Sequence, residues 1–303
     1  MDNSSVLETI SPYIYGTTRL GDEQISEKDR IAVARAAMDS GVWFHTSHQY
    51  GSAEHILRKA FDEDRAHVPN LIIKMGGNSV AEMITDVKNN MNVLGIETLS
   101  IGQLCMWDNC AENFAQGGSV IQDLYELKKS GLVQNFVLEV FPWTSKKPLQ
   151  ALQQGYCDGL IDAFIFYLNP LQRFAANNLW NEIVARNYPV IAMRTISGGH
   201  IHALRDVPGA AWVPYLQERA VEVAPIFEAS GVATWTEFCV RFAHSFKNVQ
   251  ATVGTSSKIE RLQEFLTATK HIELLPQSIV KQITDLQYRW SDEVDVHAEP
   301  WTM

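Results

Sequence analysis

Short runs of β-branched and aromatic residues alternate along the whole chain with stretches whose apolar positions recur at helical spacing. "SEKDRIAVARAAMDSG" places Ile31, Ala34 and Met38 on one helical face, with Ser26 and Asp29 at its start and Gly41 as a stop. "VWFHT" and "NLIIKM" follow as predicted strands. "SVAEMITDVKNNMNVLG" carries a Ser79/Glu82 capping box and lines up Met83, Val87, Met91 and Leu94. The same rhythm predicts buried strands in "LSIGQLCM", "NFVLEVF", "DAFIFYL", "PVIAM" and "QATVG". Helical patterns separate them: "SVIQDLYELKKSG", "SKKPLQALQQG", "NLWNEIVARN" and a longer region from about 213 to 246. "SKIERLQEFLTAT" follows the last strand, and "YIYGT" near the start makes eight strands in all.

Eight strand–helix units in 303 residues predict an α/β fold of the (β/α)8 TIM-barrel type. No Pro/Gly/Ser linker divides the chain, so one domain is expected over 1–303, with a C-terminal tail from about 289. The competing architecture is an open doubly wound sheet. It calls for a Gly-rich phosphate turn after the first strand, and "GTTRLG" lacks the GxGxxG spacing. A barrel puts its chemistry at the C-terminal ends of its strands. Those ends carry His45 and Tyr50 (second strand), Lys74 (third), Cys105 and Trp107 (fourth), Glu139 (fifth), Met193 and Arg194 (seventh), and Gly254 to Ser257 (eighth).

Composition narrows the partners. Hydrophobic residues make up 46% and charged residues 20%, as in a globular protein. The formal net charge of −10 disfavours nucleic acid and anionic lipid surfaces. No apolar run approaches the roughly 20 residues of a membrane span, and no signal peptide is visible in "MDNSSVLETISPY". Cys105, Cys110, Cys157 and Cys239 form no CxxC pair, so free thiols and a cytoplasmic setting are expected. The partner expected is a small-molecule substrate; no oligomeric state is assigned.

The segments at the strand ends resemble those of the aldo-keto reductase superfamily over nearly the whole chain. They are "HTSHQYGSAE", "IIKMGG", "YLNPLQR", "VIAMRTISGG" and "VGTSSKIERLQEF". That resemblance implies a (β/α)8 barrel that binds NADP(H), with Tyr50 as the family's catalytic tyrosine and Lys74 as its lysine. It also places His45 where the family has aspartate, and Cys105 where it has histidine. Glu139 and Val140 stand where it has a Ser-Asn pair, Ile165 where it has glutamine, and Met193 where it has an aromatic. The cofactor site would use Arg194, Gly254, Thr255, Ser256, Ser257, Arg261 and Glu264, and Phe265 replaces a frequent asparagine.

These residues make physical sense in those roles. A cation near a tyrosine stabilises phenolate, so Lys74 would tune Tyr50 to give or take a proton. His45 offers no negative charge to Lys74, so Glu139 is expected to supply it from across the barrel. "GTSSKIER" feeds a helix start, whose free N–H groups favour phosphate, with Arg261 for a 2′-phosphate or adenine. Ser257 and Glu260 would form a capping box. His48 and Trp107 are expected to line the substrate pocket, a surface suited to a sugar or polyol. His45, Cys105 and Glu139 are metal-ligand types as well, but from three strands, and no metal is assigned. The reaction expected is NADP(H)-dependent oxidoreduction of a carbonyl or hydroxyl. The alternative is a lyase, isomerase or binding protein that uses His45 and Glu139.

Overall fold

Parallel pairing around a closed ring organises the chain. The computed structural model describes residues 6–196 and 214–294. Its barrel strands are β1 (Tyr13–Gly16), β2 (Trp43–Thr46), β3 (Leu71–Gly77), β4 (Leu99–Met106), β5 (Val133–Glu139), β6 (Ala163–Asn169), β7 (Val190–Met193) and β8 (Val249–Thr255). Each pairs in parallel with its neighbours in sequence, β8 pairs with β1, and β5–β6 pairing completes the ring. This is the (β/α)8 barrel that the alternation predicted. A two-residue strand, Gln172–Arg173, folds back antiparallel on the end of β6.

The register brings the strand ends together. His45 lies opposite Gly16 and Ile72. Lys74 lies opposite Gln103, which in turn faces Val137. Glu139 is level with Ile165, and Tyr167 with Met193. The strands are buried on both faces, as a ring covered by helices requires. Tyr13 and Tyr15 fasten the end of β8, their hydroxyls donating to the carbonyls of Gly254 at 3.0 Å and Ser256 at 2.7 Å.

Local chemistry sets the helix boundaries. Ser26 accepts the Asp29 N–H and opens Glu27–Asp39; Ser79 accepts the Glu82 N–H and opens Val80–Leu94. The region from about 213 to 246 divides into Pro214–Ser230 and Trp235–His244. Gly231 takes φ +69, and Thr234 recaps the chain by accepting the Glu237 N–H. Helices Ala53–Glu63 and Asp108–Ala115 have no counterpart in the predicted pattern. The last helix runs Gln277–Val294, so the residues from 289 that were expected to begin a tail are its final turns. Trp290 is buried there and donates to Glu222 at 3.2 Å. The rest of the expected tail, 295–303, lies outside the described residues.

Gly254 is where the barrel wall and the helix after it come closest. A Cβ at that position would lie 2.2 Å from the ring of Phe265, which stacks on Tyr13 at 4.9 Å. Gly254→Ala is therefore expected to cost about 1–3 kcal/mol by overpacking, read as a lower urea midpoint. In a Phe265→Leu background the penalty should shrink. Equal penalties in both backgrounds would show that the ring is not what excludes the methyl.

Candidate active site

At the C-terminal mouth of the barrel, Lys74 on β3 reaches across to Glu139 at the end of β5. Its Nζ donates to Glu139 Oε1 at 2.9 Å, and both side chains are buried. The other carboxylate oxygen, Oε2, accepts from the Cys105 thiol at 2.7 Å. Burial opposes ionisation of Glu139, but the Lys74 charge and these two hydrogen bonds hold its pKa below the usual carboxylate range. Burial equally opposes the charge on Lys74, and Glu139 in the main keeps the ammonium protonated. Burial and the adjacent carboxylate push the Cys105 thiol up, so it is a donor and not a thiolate. The structure thus brings Lys74, Glu139 and Cys105 into one hydrogen-bonded set.

His45 stands apart from that set. Its Nε2 lies 2.7 Å from Gln103 Oε1, while Gln103 Nε2 lies 3.9 Å from the Met193 sulfur. An amide oxygen can only accept, so His45 carries its proton on Nε2. Burial, then the charge on Lys74, lowers its pKa to about 4, which keeps the imidazole neutral. Tyr50 is half-buried, its ring centroid 6.1 Å from that of His45. Burial raises the phenol to about 12; Lys74 pulls it down, and Glu139, Tyr167 and Cys105 push it back up. It therefore keeps its proton across the neutral range, beside a fixed cation.

The rim is aromatic on one side and polar on the other. Phe141 stacks on Trp143 at 5.1 Å, Tyr167 stacks on Phe174 at 4.7 Å, and the Arg194 guanidinium lies 4.8 Å over Tyr167. Arg194 has φ +45, and its carbonyl accepts from Asn169 at 2.9 Å. Trp107 is 54% exposed, its Nε1 3.4 Å from where a Cβ on Gly76 would stand. On the polar side, His48 Nδ1 lies 3.1 Å from Asp86 Oδ1. Glu54, just past Tyr50, is buried close to Asp86, and its Oε1 has no hydrogen-bond partner. Burial first, then Asp86, raises its pKa to about 7.

The eighth-strand end is less uniform than the sequence suggests. Thr255 Oγ1 accepts the Arg19 N–H at 3.2 Å. Ser256 is buried, and its hydroxyl both accepts from Lys258 N and donates to Lys258 O. The expected Ser257/Glu260 capping box does not form. The helix runs Ile259–Lys270 with Lys258 at its N-cap and no side-chain cap, because Ser256 has already turned the chain. Ser257 stays half-exposed. Arg261 and Glu264 form an exposed ion pair at 2.6 Å, and Glu264 also lies 3.4 Å from the Thr236 hydroxyl. Phe265 fills the space under Gly254. Ser197, Gly198 and Gly199 of "VIAMRTISGG" lie outside the described residues.

Four residues of this neighbourhood escaped the sequence reading: Gln103, Glu54, Asp86 and Asn90. Gln103 sits two positions before Cys105 on one strand, so period 2 puts both on one face. Asp86 and Asn90 are four apart on one helix, the spacing of neighbours. Glu54 ends the segment "HTSHQYGSAE" that carries the resemblance, but was given no role. Among the described residues, no group of three or more His, Cys, Asp or Glu is arranged to hold a metal. Among them, too, no helix is long and apolar enough to cross a membrane.

A parallel (β/α)8 barrel with a tyrosine and a buried lysine at its C-terminal mouth defines the class. The model of the aldo/keto reductase family matches residues 12–287, and the chain belongs to that family. Solved structures agree in fold. An aldo-keto reductase from Bacillus halodurans, in its holo form, is 18% identical with a TM-score of 0.69, over 91% of this chain and 92% of that one. An aldo/keto reductase from Klebsiella pneumoniae, solved with NADP and acetate, is 16% identical with a TM-score of 0.66, over 92% of each chain. At these identities the likeness is one of fold. No curated protein matches the chain.

Two stability predictions follow from the charges. Glu139→Gln leaves Lys74 buried without its counter-charge and should cost about 3–5 kcal/mol in denaturant unfolding near neutral pH; a loss below about 1 kcal/mol would mean that water already solvates the ammonium. Glu54 behaves oppositely. Its folded pKa of about 7 stands above the ordinary 4.5. The stability it contributes is therefore complete below 4.5 and is lost as pH rises through 7. Glu54→Gln should gain on the wild type by about 1–3 kcal/mol at about pH 8, and the gain should vanish near about pH 4. A difference independent of pH would exclude this ionisation as the cause.

Proposed function

We propose that this chain is an NADP(H)-dependent oxidoreductase acting on a carbonyl or hydroxyl of a small molecule, with Tyr50 as proton donor or acceptor. The observation that carries this is a half-buried, protonated Tyr50 under the charge of a buried Lys74, in an aldo/keto reductase barrel. The phenol gives its proton to a carbonyl oxygen in reduction and takes one from a hydroxyl in oxidation. Lys74, held by Glu139, stabilises the phenolate left behind. Neutral His45, its Nε2 committed to Gln103, adds no second cation beside Lys74.

The donor set suits a phosphorylated dinucleotide. The helix Ile259–Lys270 starts without a side-chain cap, beside the half-exposed Ser257 and the cation of Lys258. Such an N-terminus favours phosphate. Arg261 can leave its exposed pairing with Glu264 for a 2′-phosphate, since a surface ion pair is worth little. Bound NADPH would supply the hydride. Gly254 and Thr255 shape the turn, Ser256 fixes it from within, and Arg194, over Tyr167 on the rim, is a further cation for the cofactor. The aromatic wall of Phe141, Trp143 and Tyr167, with exposed Trp107 and His48, suits a sugar or polyol face. A lyase or isomerase run by His45 and Glu139 is less favoured, because Glu139 is held by both Lys74 and Cys105 and His45 Nε2 is held by Gln103.

Titration with NADPH and NADH, followed by nicotinamide fluorescence, should show binding with preference for NADPH; absence of binding by either would remove the cofactor from the reading. With a carbonyl substrate, Tyr50→Phe should lower turnover roughly 10²–10⁴-fold. Turnover within about threefold of the wild type would assign the proton to another group.

A further inference from the structure

Asp86, on the helix Val80–Leu94, touches both segments that carry the candidate chemistry. Its Oδ1 lies 3.1 Å from His48 Nδ1, in the loop that leads to Tyr50. Its Oδ2 accepts the Gly76 N–H at 3.0 Å, on β3 just beyond Lys74. Asn90, one turn along the helix and 2% exposed, completes the link. Asn90 Oδ1 accepts the His48 backbone N–H at 3.0 Å. Its amide donates to the Asp86 carbonyl at 2.6 Å and to Asp86 Oδ1 at 3.2 Å. The Tyr50 loop is fixed elsewhere by its own turn, Tyr50 N–H to Ser47 O at 3.0 Å. It also packs against Gly21, where a Cβ would meet the Tyr50 carbonyl at 1.9 Å.

We propose that Asp86 and Asn90 are positioning residues that set where the Tyr50 loop stands relative to Lys74. This rests on the reading of Tyr50 as the proton-transfer residue. Asp86 holds β3 by a hydrogen bond through one oxygen and faces His48 Nδ1 through the other. Asn90, tied to Asp86, accepts the His48 N–H, so a shift of the loop against β3 has to break a hydrogen bond. The bridge is anchored on a helix and not on a second loop, which keeps the reference frame rigid. A hydroxyl displaced by about 1 Å from its reacting partner can lose roughly 10²-fold in rate. A latch on the loop therefore acts on turnover without touching substrate or cofactor.

The test uses the full chain. Asp86→Ala should lower kcat roughly 10–100-fold while the NADPH dissociation constant stays within about twofold. Asp86→Asn keeps an oxygen for the Gly76 N–H and an amide that can donate to His48 Nδ1 in its acceptor tautomer. It gives up the 3.2 Å contact from Asn90, whose amide keeps the Asp86 carbonyl, so it should recover kcat to within about threefold of the wild type. Two results would overturn the proposal. One is an Asp86→Ala kcat within about twofold of the wild type, whatever happens to its melting temperature. The other is an equal loss in the Ala and Asn variants. A wild type with no turnover on any carbonyl or alcohol would sink the functional reading alone. The latch would then be judged by NMR of labelled Tyr and His. Shifted Tyr50 and His48 signals in Asp86→Ala, returned in Asp86→Asn, support it; unmoved Tyr50 signals in Asp86→Ala refute it.

Discussion

An ammonium taken out of water needs a counter-charge, and the buried Lys74–Glu139 pair is the constraint around which the barrel mouth is arranged. The pair spans from β3 to β5 with β4 between them. Its partners follow from it. Glu139 has a second oxygen to satisfy, and Cys105 on the intervening strand satisfies it with a thiol. A larger or acidic residue there would displace the carboxylate or repel it. With the charge supplied from β5, a carboxylate on β2 would put two anions around one cation. A neutral imidazole avoids that, and its own N–H then needs an acceptor, which Gln103 on β4 provides. Lys74, Glu139 and Cys105 are therefore one hydrogen-bonded arrangement, to which His45 is coupled through charge and not through contact.

How far this was legible in the sequence depended on which residues look out of place. Lys74 and Glu139 are charges inside apolar runs, "NLIIKM" and "NFVLEVF", and a charge in such a run demands a partner. The structure puts the two in contact, as the missing carboxylate at His45 required. Gln103 was not legible, because an uncharged amide in a strand carries no comparable demand for a partner. Asp86 and Asn90 were hidden for a different reason. Polar residues on an amphipathic helix are ordinarily solvated, and nothing in "ITDVKNN" separates a solvated aspartate from a bridging one.

The same logic explains the boundary errors. Ser257 and Glu260 have capping-box spacing, but spacing alone cannot tell which serine ends the turn; Ser256 takes the Lys258 N–H and moves the helix start past Ser257. The stretch from about 213 to 246 has apolar periodicity on both sides of Gly231, and a pattern count bridges one glycine easily. The backbone does not, because φ +69 there turns the chain before Thr234 caps it again. The C-terminal helix was missed because its apolar positions are interleaved with polar and charged ones, although Ile279, Ile283 and Trp290 are buried.

The charge balance at the mouth links these local facts to chemistry. Lys74 contributes one positive charge and Glu139 one negative, while His45 and Cys105 are held neutral. The set is neutral overall but strongly polarised, with its positive end acting on Tyr50 and its negative end answering it. In such a field the phenol keeps its proton at rest, since burial and Glu139 outweigh Lys74. In the proposed role of Tyr50, the phenolate would meet a cation already fixed in place by Glu139, and no group would have to reorganise. The carboxylate that answers Lys74 stands on β5, so the cation is held with no anion on β2.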